Sequence, residues 1–597
     1  MRTFGLVILS LFAGVGLIVV ALFVGGAYLA VNFADGKKSN ADVSAPSKIV
    51  LEVDLDKGLV EGKGGPRLEG FNIHSATTLQ DAVLAIRKAK DDRRVVALKA
   101  NLSNPSLGLA QSQELRGAVA EFKAAGKPAF IFSETIGEGE GALPTYYLAA
   151  GFGDIWVQPS ATVGIAGIGT EAFFLKDFLA KLGVKANFVA RGEYKSAPEM
   201  LTNTQMSPAN REETQALLGG WFGQMVDGIA ADRKITTDQV KAIIDQGPQM
   251  AKDAQEKGLI DHLGYRDQFE AAMKKQFTDA KNVTLARYAH MPVPGVGTAS
   301  KRIAVIHAIG EIDRGGGDDS PFSSADGIHA DRMVKAIRKA ADDKKIDAIL
   351  LRVDSPGGSY VASDTIWREV VRAKELGKPV IVSMGNTAAS GGYFIAMPAD
   401  RIFASPATVT GSIGVFTGKM VVADTLAKLN INKERITFGE STGMFSATSE
   451  FSPKDLERIN HMLDVTYADF TGKAAQGRGK SVEEIQKVAR GRVWTGADAI
   501  GAGLVDELGG FLQALDYTKT KIGLKATDRV SLVEFSDSKE GWWDFFKYFD
   551  DSDVPNDVEG FFRAMVWFGN VIKPVMAEMN AANDNAPQLY WEPVKAK

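Results

Sequence analysis

Among the side chains of this sequence, Ser390 has the neighbours a nucleophile needs. It stands in Thr387-Ala388-Ala389-Ser390-Gly391-Gly392-Tyr393, after an apolar run at 379–384 that reads as a buried strand and before a stretch that reads as an apolar helix. Small residues on both sides let a substrate backbone approach. The amides that open a helix can stabilise a developing oxyanion. An ordinary helix N-cap would look the same. A second candidate is Asp354-Ser355-Pro356-Gly357-Gly358-Ser359, which closes the preceding strand. Its paired glycines can turn an amide outward as an oxyanion donor, or merely link a strand to a helix.

A serine hydroxyl needs a base. The chain has no cysteine, which excludes a thiol nucleophile, disulfides, Cys-zinc sites and Cys-ligated clusters. The six histidines, His74, His262, His290, His307, His329 and His461, are too far apart for an HExxH metal helix. None belongs to a motif near Ser390. A lysine could serve instead. At the usual pKa of about 10.4 only roughly 0.04% of a lysine is neutral at pH 7, so a catalytic lysine must be desolvated.

An internal repeat supplies one. Gly126-Lys127-Pro128 recurs as Gly377-Lys378-Pro379, Tyr146-Tyr147-Leu148-Ala149 as Tyr393-Phe394-Ile395-Ala396, and Ser207-Pro208 as Ser452-Pro453. Phe178-Leu179-Ala180-Lys181-Leu182 recurs as Thr425-Leu426-Ala427-Lys428-Leu429, and Lys257-Gly258-Leu259-Ile260-Asp261 as Ala502-Gly503-Leu504-Val505-Asp506. The near-constant offset implies two homologous domains, 47–285 and 300–525. Within them Gly192-Glu193-Tyr194-Lys195-Ser196 aligns with Gly439-Glu440-Ser441-Thr442-Gly443, and Leu143 aligns with Ser390. Each copy lacks what the other keeps. That reciprocal loss fits one composite site, with a serine from the second copy and Lys195 from the first.

The elements that must position these residues alternate strand and helix. In the first copy, strands are predicted at 49–55, 95–102 and 128–133, with helices at 78–91 and 110–124. In the second, strands are predicted at 302–309, 346–353 and 379–384, with helices at 330–341 and 360–376. Short apolar strands separated by helices imply an α/β fold with mostly parallel pairing. Hydrophobic residues make up 45% and charged residues 24%, as in a soluble globular chain, and the net charge of −4 gives no basic field for nucleic acid. Residues 5–31 carry no charge and are long enough to cross a bilayer as a helix, so they read as a transmembrane anchor, with 32–46 as linker. The tail, 526–597, holds Trp542, Trp543, Phe545, Phe546, Phe561, Phe562, Trp567 and Phe568. That density suits a membrane surface, a subunit interface or packing on its own domain.

Five motifs in this order resemble the signal peptide peptidase A family, also called protease IV, in its long two-repeat bacterial form. They are Gly192-Glu193-Tyr194-Lys195-Ser196-Ala197, Asp354-Ser355-Pro356-Gly357-Gly358, Ala389-Ser390-Gly391-Gly392-Tyr393, Thr410-Gly411-Ser412-Ile413-Gly414 and Val493-Trp494-Thr495-Gly496. The resemblance implies Ser390 as nucleophile and Lys195 as general base, later general acid. It implies Ser412 as the group that orients the lysine, and the amides of Gly357 and Gly391 as the oxyanion hole. It further implies tandem crotonase/Clp-protease-like domains of the β-β-α superhelix type. The implied assembly is a bowl-shaped homotetramer on the outer face of the bacterial cytoplasmic membrane, taking remnant signal peptides. No metal or other cofactor is called for. Pro198, soon after Lys195, departs from the family pattern. Two rival readings are a crotonase-fold enzyme acting on coenzyme A thioesters and a non-catalytic membrane scaffold. Paired catalytic carboxylates at the turns would favour the first, and loss of Lys195, Ser390 or Ser412 the second.

Overall fold

The computed structural model describes residues 46–535, apart from 57, 63–76, 103–104, 139–140, 293–298 and 317–326. The apolar run 5–31 and the aromatic cluster from Trp542 onward lie outside the described residues. Among those described, no helix is long and apolar enough to cross a membrane. The elements below all belong to the compact unit Lys48–Lys597.

Two sheets carry the architecture. The first is six-stranded, in the order His262–Leu263, Gly153–Val157, Ala129–Ser133, Val95–Asn101, Ile49–Asp54 and Lys281–Thr284, with every pairing parallel. The second runs Val493–Thr495, Val409–Gly411, Val380–Ala389, Ala348–Ser355, Arg302–Ile309 and Ser531–Glu534, with Arg401–Ala404 and Glu507–Leu508 branching from Val380–Ala389. It is parallel except where Val409–Gly411 meets Val493–Thr495. Helices Leu79–Asp91, Leu109–Ala124, Ala330–Asp342 and Tyr360–Glu375 fall where the apolar spacing places them. Ala348–Ser355 is buried at all but one position, so its near-continuous apolar run is what a two-sided parallel strand requires.

The copies repeat in detail. Tyr146 donates to the Leu259 carbonyl at 2.7 Å, and Tyr393 to the Leu504 carbonyl at 3.0 Å. Asp261 pairs with Arg233 and accepts the Ile155 amide; Asp506 pairs with Arg478 and accepts the Ile402 amide. A serine cap followed by proline opens each 26-residue helix, Pro208–Arg233 and Pro453–Arg478. Lys281–Thr284 and Ser531–Glu534 close the corresponding edges, the latter within the segment read from sequence as tail. Its four residues are too short a strand to announce themselves by alternation.

Val380–Ala389 is longer than the apolar run 379–384. Ile381–Ser383 pair with Arg401–Phe403, and Thr387–Ala389 then pair with Val409–Gly411. The strand changes neighbour along its length, and its polar second half is held by a partner rather than by burial periodicity. That second half delivers Ser390.

The copies are joined through side chains and backbone. Ile303, Val305, Leu350 and Ile381 turn one face of the second sheet into the first copy's core, while Ile349, Leu351 and Val382 face the second core. Arg352, 2% exposed, donates to Glu114 at 2.6 Å and Ser383 at 2.7 Å, and also pairs with Glu61. Lys185–Arg191 of the first copy and Val415–Val421 of the second form an antiparallel ribbon, with Arg191 opposite Val415 and Lys185 opposite Val421.

Candidate active site

Ser390 emerges from the end of Val380–Ala389 with φ 53° and ψ −118°, a backbone region that disfavours a residue with a Cβ. Its amide donates to the Gly411 carbonyl at 2.9 Å. It precedes the buried helix Gly391–Ala396, yet its side chain makes no capping bond. The hydroxyl faces Lys195 instead, with Nζ to Oγ at 3.1 Å. The same amine donates to Ser412 Oγ at 2.9 Å and to the Ser412 carbonyl at 3.2 Å. Ser412 also has positive φ, 51°. Strained backbone at both serines is the kind of local cost that a surrounding fold can hold for a purpose.

Lys195 belongs to the loop after Lys185–Arg191, in the first copy. It is 9% exposed, and burial pushes its amine down to about 8, with the charge of Glu213 acting in the opposite direction. At pH 7 about 9% of such an amine is neutral, roughly two hundred times the share of an ordinary lysine. Pro198 caps the short helix Glu199–Thr202 just beyond, and the loop still brings Lys195 to the serine.

A segment of the second copy holds that loop. Tyr194 N donates to the Arg490 carbonyl at 3.0 Å, Gly491 N to the Ile413 carbonyl at 2.8 Å, and Ser412 N to the Arg492 carbonyl at 2.8 Å. Gly491 has φ +83°, and a Cβ there would lie 2.5 Å from Lys195 N. Only glycine lets the two backbones meet so closely.

The two glycines of the turn expected to supply an oxyanion donor differ in their surroundings. Gly357 N donates to Ser355 Oγ at 3.1 Å, and Ser355 Oγ itself donates to the Gly310 carbonyl at 2.6 Å. The Gly357 amide is thus tied into the turn. Gly358 and Gly391 line the cavity beside Ser390 and Lys195, whereas Gly357 does not. Neither the Gly358 nor the Gly391 amide has an acceptor among the described residues. Gly358 has φ +150°, and a Cβ there would strike the Ile312 carbonyl oxygen at 2.2 Å, so the turn needs glycine to hold this orientation. The paired glycines mark the turn in the sequence, but the rotation that selects one amide depends on Ser355 and Ile312.

The cavity measures about 330 Å³. Its apolar wall includes Tyr360, Phe394, Val415, Ile459, Leu463 and Phe470. No Asp, Glu or His is among the described residues lining it, and no described group of acidic or histidine side chains could hold a metal. Sequence reasoning named the Gly357-Gly358 turn but missed Gly491 and Glu213. The run Arg490-Gly491-Arg492 directly before Val493-Trp494-Thr495-Gly496 was the available signal for Gly491.

Known proteins share this plan. The pattern of peptidase family S49 matches residues 121–279 and again 372–525. "Protease 4" of Salmonella typhi is 35% identical over 500 residues, covering 80% of this chain and 79% of that protein. "Protease 4" of Haemophilus influenzae is 30% identical, covering 86% and 87%. "Serine protease SPPA, chloroplastic" of Arabidopsis thaliana is 33% identical, covering 75% and 66%. Matched twice by one family and aligned with these proteases over most of its length, the chain belongs to peptidase family S49 and is a serine protease.

Proposed function

We propose that this protein is a membrane-anchored endopeptidase that degrades remnant signal peptides through a Ser-Lys dyad assembled from its two copies. The observation that carries the reading is the buried Lys195 amine between Ser390 Oγ at 3.1 Å and Ser412 Oγ at 2.9 Å. Neutral Lys195 takes the Ser390 proton as the oxygen attacks a peptide carbonyl carbon. The amides of Gly391 and Gly358 hold the oxyanion, one such donor being worth about 3–4 kcal/mol. The ammonium of Lys195 then protonates the departing amine, leaving an ester on Ser390. Water then gives a proton to Lys195 and attacks the ester; as the acyl–Oγ bond breaks, the ammonium returns that proton to Ser390 Oγ and the acyl group leaves as a carboxylic acid. Ser412 keeps the amine aimed, as a Ser-Lys variant of the triad requires.

Several features support the wider reading. The apolar cavity suits signal-peptide side chains. Residues 5–31 supply a single-pass anchor in the cytoplasmic membrane, with the catalytic bulk on its outer face. Domains 47–285 and 300–525 are crotonase/Clp-like units that contribute the base and the nucleophile. Exposed Phe178, Leu182, Phe416 and Leu429, near the two-copy ribbon, suit burial between subunits of a homotetramer. A thioester-processing crotonase reaction would want carboxylates at the turns, and the lining has none among the described residues.

The test is hydrolysis of a synthetic signal peptide by the detergent-solubilised full chain, comparing wild type, Ser390→Ala and Lys195→Ala. Both substitutions should lower kcat by about 10⁴-fold or more with assembly unchanged. Near-wild-type activity in Lys195→Ala would sink the dyad. In wild type, kcat/KM should rise with pH through about 8, because only the neutral amine accepts the serine proton.

A further inference from the structure

Glu213 lies near the start of Pro208–Arg233 and is only 6% exposed, a rare place for a carboxylate. It accepts the Val493 amide at 2.8 Å, and the Ser196 side chain, next to Lys195, acts on it to favour the charged form. Val493 continues the 490–492 segment, whose backbone bonds reach Tyr194 on one side and Ser412 and Ile413 on the other. One carboxylate therefore binds the segment that seats Ser412 while its charge reaches the lysine loop.

The charged groups facing it are Lys195 from the loop and Arg492 from the segment. Glu212, its neighbour on the helix, turns to Arg492 Nη1 at 2.8 Å and to Tyr194 Oη at 3.1 Å. Burial pushes the Glu213 carboxyl up to about 7, against the pull of the Val493 amide and Arg492. In the second copy, counting from Ser452-Pro453 as from Ser207-Pro208, the matching residue is Arg458. The carboxylate stands in the copy that carries the lysine.

We infer that Glu213 is a positioning residue for Lys195: it clamps the 490–493 segment onto the lysine loop, and its negative charge restrains loss of the ammonium proton. The inference rests on reading Lys195 as the base. Glutamine at 213 keeps an acceptor for Val493 and removes the charge; alanine removes both.

The experiment is the pH profile of kcat/KM for the full chain on an apolar signal peptide, with a melting curve for each variant. In Glu213→Gln the acidic limb should move to lower pH by about half a unit or more, which is about threefold more activity on the limb relative to the plateau. In Glu213→Ala the plateau should also fall about tenfold, because a buried amide loses its acceptor. An unmoved limb in Glu213→Gln, at wild-type melting temperature, overturns the inference. Should Glu213→Ala fail to fold, the glutamine variant decides alone. Lys195→Ala, run alongside, separates the two readings. If it is inactive while the Glu213→Gln limb stays put, only the role of Glu213 falls. If it is active, both fall.

Discussion

The two copies of this chain differ less in what they are built from than in what they aim. Tyr146 and Tyr393, Asp261 and Asp506, and Arg233 and Arg478 make matching bonds, and both long helices open on Ser-Pro. The divergence is concentrated at a few sites. Leu143 is buried at the head of Leu143–Ala150, where the second copy presents Ser390 at the head of Gly391–Ala396. Lys195 is buried against a backbone segment, whereas Thr442 sits exposed and, among the described residues, its hydroxyl bonds its own loop, at the Phe438 and Gly439 carbonyls. A duplicated scaffold needs few changes to become asymmetric, because scaffold contacts are repaid within each copy while site contacts cross between copies.

The largest expected effect comes from trying to undo that asymmetry. In Lys195→Ala, adding Thr442→Lys should restore no activity, since position 442 lies on an exposed loop outside the cavity lining. In Ser390→Ala, adding Leu143→Ser should likewise leave kcat at least about 10⁴-fold down, because a buried serine at 143 faces no lysine. Recovery of peptide hydrolysis in either double variant would show that the copies are interchangeable and break the comparison.

Much of this was legible in the sequence, for stated reasons. Parallel strands buried on both faces leave continuous apolar runs, so 49–55, 95–102 and 302–309 marked real strands. Reciprocal loss at 195/442 and 143/390 pointed across the copies because two sequence-distant gaps complemented each other. What stayed hidden depends on contacts between elements. The polar end of Val380–Ala389 forms only because Val409–Gly411 pairs with it. That the Gly357 amide is tied into its turn follows from Ser355 Oγ capturing it. Glu213 looks like any exposed helical glutamate until Val493 is seen above it.

A middle-sized effect compares two glycines. Gly491 precedes Val493–Thr495, and Gly247 precedes the corresponding short strand Gln249–Met250 in the first copy. Both have φ near +80°, but a Cβ at 247 meets nothing within 4 Å, while one at 491 meets Lys195. Gly247→Ala should therefore cost about 1 kcal/mol of stability from backbone strain and leave kcat/KM intact. Gly491→Ala adds displacement of the lysine loop, and a 1 Å misplacement of a catalytic group is worth about 10²-fold in rate. Equal kinetics in the two variants would remove the claim that the 490–493 segment seats Lys195.

The smallest effect lies on the rim of the same junction. Arg490 pairs with Glu193, two residues before Lys195, and both side chains are about half exposed. Proximity to Lys195 makes this pair look important. Yet exposed ion pairs contribute only about 0–1 kcal/mol, and salt screens them further. The Tyr194 amide bonds the Arg490 carbonyl, which survives any change of the Arg490 side chain. Arg490→Ala should thus change kcat/KM by no more than about threefold and move the melting temperature by only a degree or two. A loss approaching that of Gly491→Ala would mean that the side-chain pair, and not the backbone lacing beneath it, holds the first copy's lysine to the second copy's serine.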